Sequence, residues 1–112
     1  MEFIKPQIVI FANTENKYIV NEIKAGIEEE GALYKLADNK CNDAVEMAYE
    51  AAKASVLGVG IGIAGDSICM HCKNLELDMP LFFVKTDMNL NPRIIGCNAA
   101  RYVKGLPLKY ID

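Results

Sequence analysis

Histidine is almost missing from this chain of 112 residues: His71 is the only one. A catalytic histidine needs an orienting partner and a nucleophile. Asp66 and Ser67 are near in sequence, but nothing in the pattern arranges them with His71 as a triad. Clusters of Lys and Arg are also missing, and the net charge is -3. A nucleic-acid binder carries a basic stripe that displaces counterions from phosphates, so that class is excluded. No apolar run approaches the length that spans a bilayer. The first apolar run, residues 8–12, follows Pro6 and has neither a basic flank nor a cleavage pattern, so no targeting segment is expected. There is no internal repeat, low-complexity tract or linker.

What is present is core material. Hydrophobic residues make up 52% of the chain and charged ones 24%, enough to bury an interior under a soluble surface. The length suits one domain, residues 1–112. Four cysteines (Cys41, Cys69, Cys72, Cys97) without a secretion signal are expected to be reduced thiols in a cytoplasmic protein.

Strand and helix patterns alternate. Residues 7–12 read as a strand covered on both faces. Thr14 or Asn16 caps a helix in which Ile19, Val20, Ile23 and Ile27 recur at helical spacing, and Gly31 stops it. Residues 32–36 read as a second strand. Asp43 and Glu46 have capping-box spacing and open a helix to about Lys53, with Ala44, Val45, Ala48, Tyr49 and Ala52 as its buried stripe. Residues 56–64 read as a central strand, 64–67 as a hairpin turn, 68–72 as a fourth strand and 81–84 as a fifth. Asn91 and Pro92 start a last helix that Gly105 and Pro107 stop, with Ile94, Ile95, Ala99, Tyr102 and Val103 facing inward. The order predicts an α/β three-layer domain, a mixed, largely parallel sheet of about five strands with helices on both faces.

Two motifs fail on context. Residues 60–65 spell a dinucleotide fingerprint, Gly-x-Gly-x-x-Gly, but lie inside a strand leading to another strand. The fingerprint must turn a strand into a helix whose N-terminus meets the pyrophosphate. Close backbone packing is the expected use of these glycines. Cys69 and Cys72 have C-x-x-C spacing, yet on a strand residues three apart point to opposite faces and their sulfurs diverge.

Glu28, Glu29 and Glu30 end the first helix, at the negative pole of its dipole, where each carboxylate is disfavoured by about 0.3–1 kcal/mol. Adjacent residues fan around a helix, so only one or two address a common target. The run reads either as a solvated helix end or as a carboxylate offered to a basic partner or a hard cation such as Mg²⁺. Arg101 and Lys104 suit the dipole at the end of the last helix, and Asn98, within an apolar helix, is a candidate for an interface hydrogen bond.

In order along the chain stand Gly26-Ile27-Glu28-Glu29-Glu30-Gly31, Val59-Gly60-Ile61, His71-x-Lys73-Asn74-Leu75, Pro80-Leu81-Phe82 and Asn98-Ala99-Ala100-Arg101-x-Val103-Lys104-Gly105-x-Pro107. This ordered set resembles the small subunit of the reactivating factors of coenzyme-B12-dependent diol and glycerol dehydratases. The resemblance implies a non-catalytic, chaperone-like subunit, similar in fold to the dehydratase medium subunit. It implies pairing with a large ATPase subunit that holds ATP or ADP, and exchange with the damaged dehydratase complex so that spent cobalamin leaves. No cofactor is implied for the chain alone. Glu29 is implied to complete a Mg²⁺ site on the large subunit, with Glu28, Glu30, Asn98 and Arg101 at the interface, and association with a bacterial microcompartment is compatible with it. Cys97 departs from the polar residue expected there. The alternatives are a medium-subunit-like component of the dehydratase itself and a stand-alone flavodoxin-like ligand-binding domain.

Overall fold

The computed structural model describes residues 6–86 and 90–109. They form β1 (Ile8–Asn13), α1 (Lys17–Glu29), β2 (Tyr34–Asp38), α2 (Ala44–Ala54), β3 (Val59–Ala64), β4 (Ser67–Cys72), β5 (Phe82–Lys85) and α3 (Arg93–Lys104). The strands make one sheet in the order β2-β1-β3-β4-β5. β1 pairs in parallel with β2 and β3, whereas β4 is antiparallel to both β3 and β5, so only β4 runs against the rest.

The topology follows from handedness. A right-handed crossover from β1 to β2 moves to one side, and the next, from β2 past β1 to β3, reverses direction. The two connecting helices therefore fall on opposite faces. α1 and, beside it, α3 cover the face carrying Ile8, Ile10, Ile61, Ile63, Ile68 and Met70. α2 covers the other, where Ala44, Met47 and Ala48 meet Ala64 and Cys69.

Local chemistry sets the ends. Asn16 caps α1 by accepting from the Ile19 amide at 3.4 Å, and Thr14 Oγ1 accepts from the Asn16 amide at 3.0 Å. Asp43 caps α2 by accepting from the amides of Val45 (3.0 Å) and Glu46 (3.3 Å). The box stays half open: the Glu46 carboxylate lies 3.8 Å from the Cys41 thiol instead of returning to the Asp43 amide.

Several expectations shift. β2 starts at Tyr34 because Ala32 still donates to Ile27 O, closing the end of α1. β3 starts at Val59, since Ser55 and Gly58 (φ 74°) form the preceding turn. The buried stripe of α2 is Ala44, Met47, Ala48, Ala51 and Ala52, rotated away from Val45 and Tyr49. The cause is the sheet beneath: a Cβ on Gly60 would collide with the α2 backbone at Ala52 and Ala48, and one on Gly62 would come within 2.6 Å of the Ala48 nitrogen. The helix seats its alanines on these glycines. On α3, Ile95 and Ala99 are buried as expected, but Gly96, Cys97, Asn98 and Ala100 join them while Tyr102 stays exposed. Here too a glycine sets the rotation, Gly96 lying against the Ile23 carbonyl of α1.

Candidate functional site

The acidic helix end is built by a turn that the sequence specifies. Gly31 takes a left-handed conformation (φ 78°), its amide donates to Glu28 O at 3.0 Å, and the Ala32 amide donates to Ile27 O at 3.1 Å. This is a Schellman closure, with Glu28 and Glu29 in the last turn and Glu30 as the cap. Three carboxylates at a negative dipole end call for cations, and α3 brings them. It can do so because Gly26 and Gly96 let the two helix backbones touch. A Cβ on Gly26 would come within 2.8 Å of the Cys97 nitrogen.

The three glutamates then part company. Glu30 turns inward. It accepts from Arg101 Nε at 3.0 Å, Lys109 Nζ stands 3.6 Å away, and its backbone carbonyl accepts from Lys104 Nζ. The Arg101 hydrogen bond, opposed by partial burial and aided by the Arg101 and Lys109 charges, holds its carboxyl below the usual carboxylate range. Glu28 is exposed, with the Tyr34 hydroxyl donating at the outer limit of 3.5 Å. Glu29 is half exposed and, among the described residues, meets Arg93 Nη1 at 3.5 Å. Arg93 places its shorter bond, 3.0 Å from Nη2, on Glu22. Glu28 and Glu29 are thus both loosely held, and Glu29 borders a cavity. That depression, about 210 Å³, is lined by Glu29, Asn91, Arg93, Ile94, Cys97 and Lys109.

Asn98 is fully buried and reaches the backbone of Lys109. Its Nδ2 donates to Lys109 O at 3.0 Å and its Oδ1 accepts from the Lys109 amide at 2.6 Å. Arg101 Nη1 donates to Pro107 O at 3.1 Å. Gly105, in a left-handed conformation (φ 71°), turns the chain so that residues 106–109 run back along α3 as a strap. The side chains of Asn98 and Arg101 therefore act first inside the molecule, holding this strap. Arg93, Glu22 and Lys109 were not singled out in the sequence. Glu22 and Glu29 lie seven apart, hence on one face of α1, but their cation comes from a helix more than sixty residues on.

The remaining candidates have structural uses. His71 is fully buried on β4, its Nδ1 accepts from the Cys72 amide at 2.9 Å, and its Nε2 donates to Leu77 O at 3.1 Å. The Tyr49 ring meets it edge-on at 5.2 Å. Cys69 and Cys72 face opposite sides of the sheet, one under α2 and the other in the isoleucine core. Burial, with a smaller contribution from Asp43, pushes the Cys69 thiol up to about 12, away from the thiolate that metals and redox partners require. Gly60 and Gly62 lie within β3, and Gly65 (φ 58°) is in the hairpin. Thr14 Oγ1 donates to Gly65 O at 2.8 Å and Asn13 Nδ2 to Cys41 O at 2.8 Å, tying together the loops where such sheets open a nucleotide crevice. Among the described residues, no three His, Cys, Asp or Glu side chains are grouped to hold a metal ion. Glu29 fits a metal only as one carboxylate added to a site built elsewhere.

The chain is thus an α/β domain with a mixed five-stranded sheet, its histidine and two central cysteines committed to the core and an acidic helix end facing outward. The family model for the dehydratase medium subunit matches residues 5–109. The chain is 39% identical over 105 residues to the propanediol dehydratase-reactivating factor small subunit of Citrobacter freundii, covering 93% of this chain and 90% of that one. It is 38% identical over 92 residues to the diol dehydratase-reactivating factor small subunit of Klebsiella michiganensis (81% and 74%). Two solved structures superpose closely. One, of diol dehydratase-reactivating factor complexed with ADP and Mg²⁺, gives a TM-score of 0.82 at 34% identity, covering 95% of this chain and 99% of that one. The other, glycerol dehydratase reactivase, gives 0.87 at 31% identity, covering 95% and 98%. The chain belongs to the dehydratase medium-subunit family and, within it, to the small subunits of the diol and glycerol dehydratase-reactivating factors.

Proposed function

We propose that this chain is the non-catalytic small subunit of a factor that reactivates a coenzyme-B12-dependent diol or glycerol dehydratase. It pairs with a large ATPase subunit, which carries the ATP or ADP. By resembling the dehydratase medium subunit it exchanges into the inactivated enzyme, which opens and releases damaged cobalamin. The observation that carries this reading is likeness to reactivase small subunits along nearly the whole chain.

Within that reading Glu29 contributes a carboxylate to a Mg²⁺ ion held mainly by the large subunit. Its support is the division of labour among the three glutamates: Glu30 is committed to Arg101 and Lys109, and Glu28 lies toward Tyr34. Such an ion, when bound, would supply positive charge for the Glu29 carboxylate to meet. Glu28 and Glu30 flank the contact, and Asn98 and Arg101 serve it through the strap that they hold. No helix among the described residues is long and apolar enough to cross a membrane. The cytoplasm, with association to a microcompartment, suits this role.

Co-purification with the large ATPase subunit tests the reading. A stable 1:1 pair that weakens in chelator or with Glu29→Ala is the expected result. Pairing indifferent to both keeps the subunit and removes Glu29's role, and absence of pairing overturns the reading. The family's description favours a second reading, a medium-subunit-like part of the dehydratase. Cobalamin-dependent dehydratase activity in a complex reconstituted with this chain would establish that instead.

A further inference from the structure

We infer that the free edge of β2 takes an added strand from a partner protein, an extended segment with an apolar residue beside Leu36 and acidic residues beside Lys35 and Tyr34. β2 is an outer strand that pairs with β1 alone. The ends of that ladder fix its phase. The Ile8 amide donates to Leu33 O and the Asn39 amide to Ala12 O, so residues 33, 35, 37 and 39 address β1. The amides and carbonyls of Leu36 and Asp38 therefore point away from the sheet, while the Tyr34 carbonyl accepts from Gln7 Nε2 at 3.1 Å. An outer strand is ordinarily guarded against added strands by proline, a bulge or a charge. β2 carries no proline, and its register with β1 runs without a bulge from Tyr34 to Asp38. Its one basic guard is Lys35, which turns away a basic strand and admits an acidic one.

The face beside this edge supplies the selectivity. α1 and β2 enclose a depression of about 260 Å³, floored by Ala12 and Leu36 and walled by Val20 and Asn21. Lys24 stands over one end, 5.9 Å from the Tyr34 ring, and Lys17, about two turns back along α1, lies toward Asp38 at the other. Among the described residues Lys17, Lys24 and Lys35 form no ion pair. Glu28, at the Tyr34 hydroxyl, and Asp38 stand at the two ends of the edge, so in a chain of net charge -3 its middle is left to lysines. Residues directly opposite on paired strands share a face, so the added residue beside Leu36 extends over the apolar floor. In antiparallel pairing that residue exchanges both hydrogen bonds with Leu36. The next one meets Lys35 on the other face, and the one after lies by Tyr34 under Lys24. Main-chain bonds thus give affinity and the alternate side chains give specificity. A second copy of this chain is the wrong occupant: antiparallel pairing of two β2 strands about Leu36 would set Lys17 of one copy toward Lys24 of the other.

The test is a titration of the whole chain, followed by backbone amide chemical shifts, with the peptide Thr-Thr-Thr-Val-Glu-Glu-Thr blocked at both ends. Saturable shifts centred on Leu36 and Asp38, with slower hydrogen exchange at those two amides, are expected. Methylation of the valine nitrogen removes the bond to the Leu36 carbonyl and abolishes them. The basic counterpart, Thr-Thr-Thr-Val-Lys-Lys-Thr, binds about tenfold more weakly. Lys24→Glu and Lys35→Glu, each confirmed folded by circular dichroism, weaken the acidic peptide about threefold apiece and strengthen the basic one. Three results overturn the inference: no shift at Leu36 and Asp38 in millimolar peptide, equal binding of the acidic and basic peptides, or dimerisation through β2 without any peptide, which would make a second copy the occupant.

Discussion

Two helix contacts in this molecule both depend on glycine, and they serve opposite ends. On one face α2 lies on β3 through Gly60 and Gly62, with alanines, Met47 and Cys69 filling the rest. On the other, Gly26 and Gly96 bring α1 and α3 into backbone contact, and the space gained is ringed by charge: Glu22, Glu29 and Glu30 against Arg93, Arg101 and Lys109. The first contact is built of small apolar residues, its one buried histidine, His71, being committed to backbone groups, and fixes the fold. The second turns Glu30 inward and leaves Glu28 and Glu29 facing outward. Close packing thus does the structural work at one site, and at the other it brings charges together that can be rearranged at small cost to the fold.

The comparison predicts a graded set of effects on stability. Gly60→Ala is the severest of these, because its methyl would meet the backbone of α2 at Ala48, Ala51 and Ala52, which cannot yield as a side chain can. A loss of about 3 kcal/mol or more in urea unfolding is expected, and a loss near zero would show that α2 shifts freely. Asn98→Ala leaves the Lys109 amide and carbonyl without their partner and is expected to cost about 2 kcal/mol, with the loss confined to the α3 and strap side in hydrogen exchange.

Alkaline pH probes the α2 side through Cys69, while Cys72, Cys97 and Tyr102, also raised, respond on the opposite face. The Cys69 thiol is raised from 9.0 to about 12 in the folded chain. Between those values the unfolded chain has lost that proton and the folded chain keeps it, so stability falls as pH rises through the window and is fully present below it. One proton limits the slope to about 1.4 kcal/mol per pH unit, and Cys69→Ala should remove that part of it. Smallest is Glu29→Ala, expected within about 0.5 kcal/mol of the natural chain because its ion pair is half exposed and long. A larger loss would make Glu29 a structural residue and erase the distinction between the two contacts.

Much of the fold was legible because its signals are local. Isoleucines at helical spacing gave α1, the Asp43 cap gave α2, and residues 64–67 gave the hairpin. The misplacements arose where a distant backbone decided. Nothing near Met47 or Ala51 reveals that Gly60 and Gly62 will rotate α2 toward them, and nothing near Ile94 reveals the contact of Gly96 with α1. At the site, dipole reasoning found the acidic turn, and resemblance singled out Glu29. The geometry that separates Glu29 from Glu30 comes from Arg93, Arg101 and Lys109, all more than sixty residues away in the chain. Asn98 stood out as a polar residue in an apolar helix, but its partner, the Lys109 backbone, leaves no side-chain signature to read.

The central claim is that this chain works as a reactivase subunit, and the most direct measurement is recovery of an inactivated dehydratase. Enzyme damaged by turnover is supplied with ATP, Mg²⁺, intact coenzyme B12 and the large ATPase subunit, with and without this chain. Recovery that requires both proteins is expected. Recovery with the large subunit alone, or none with both, would contradict it.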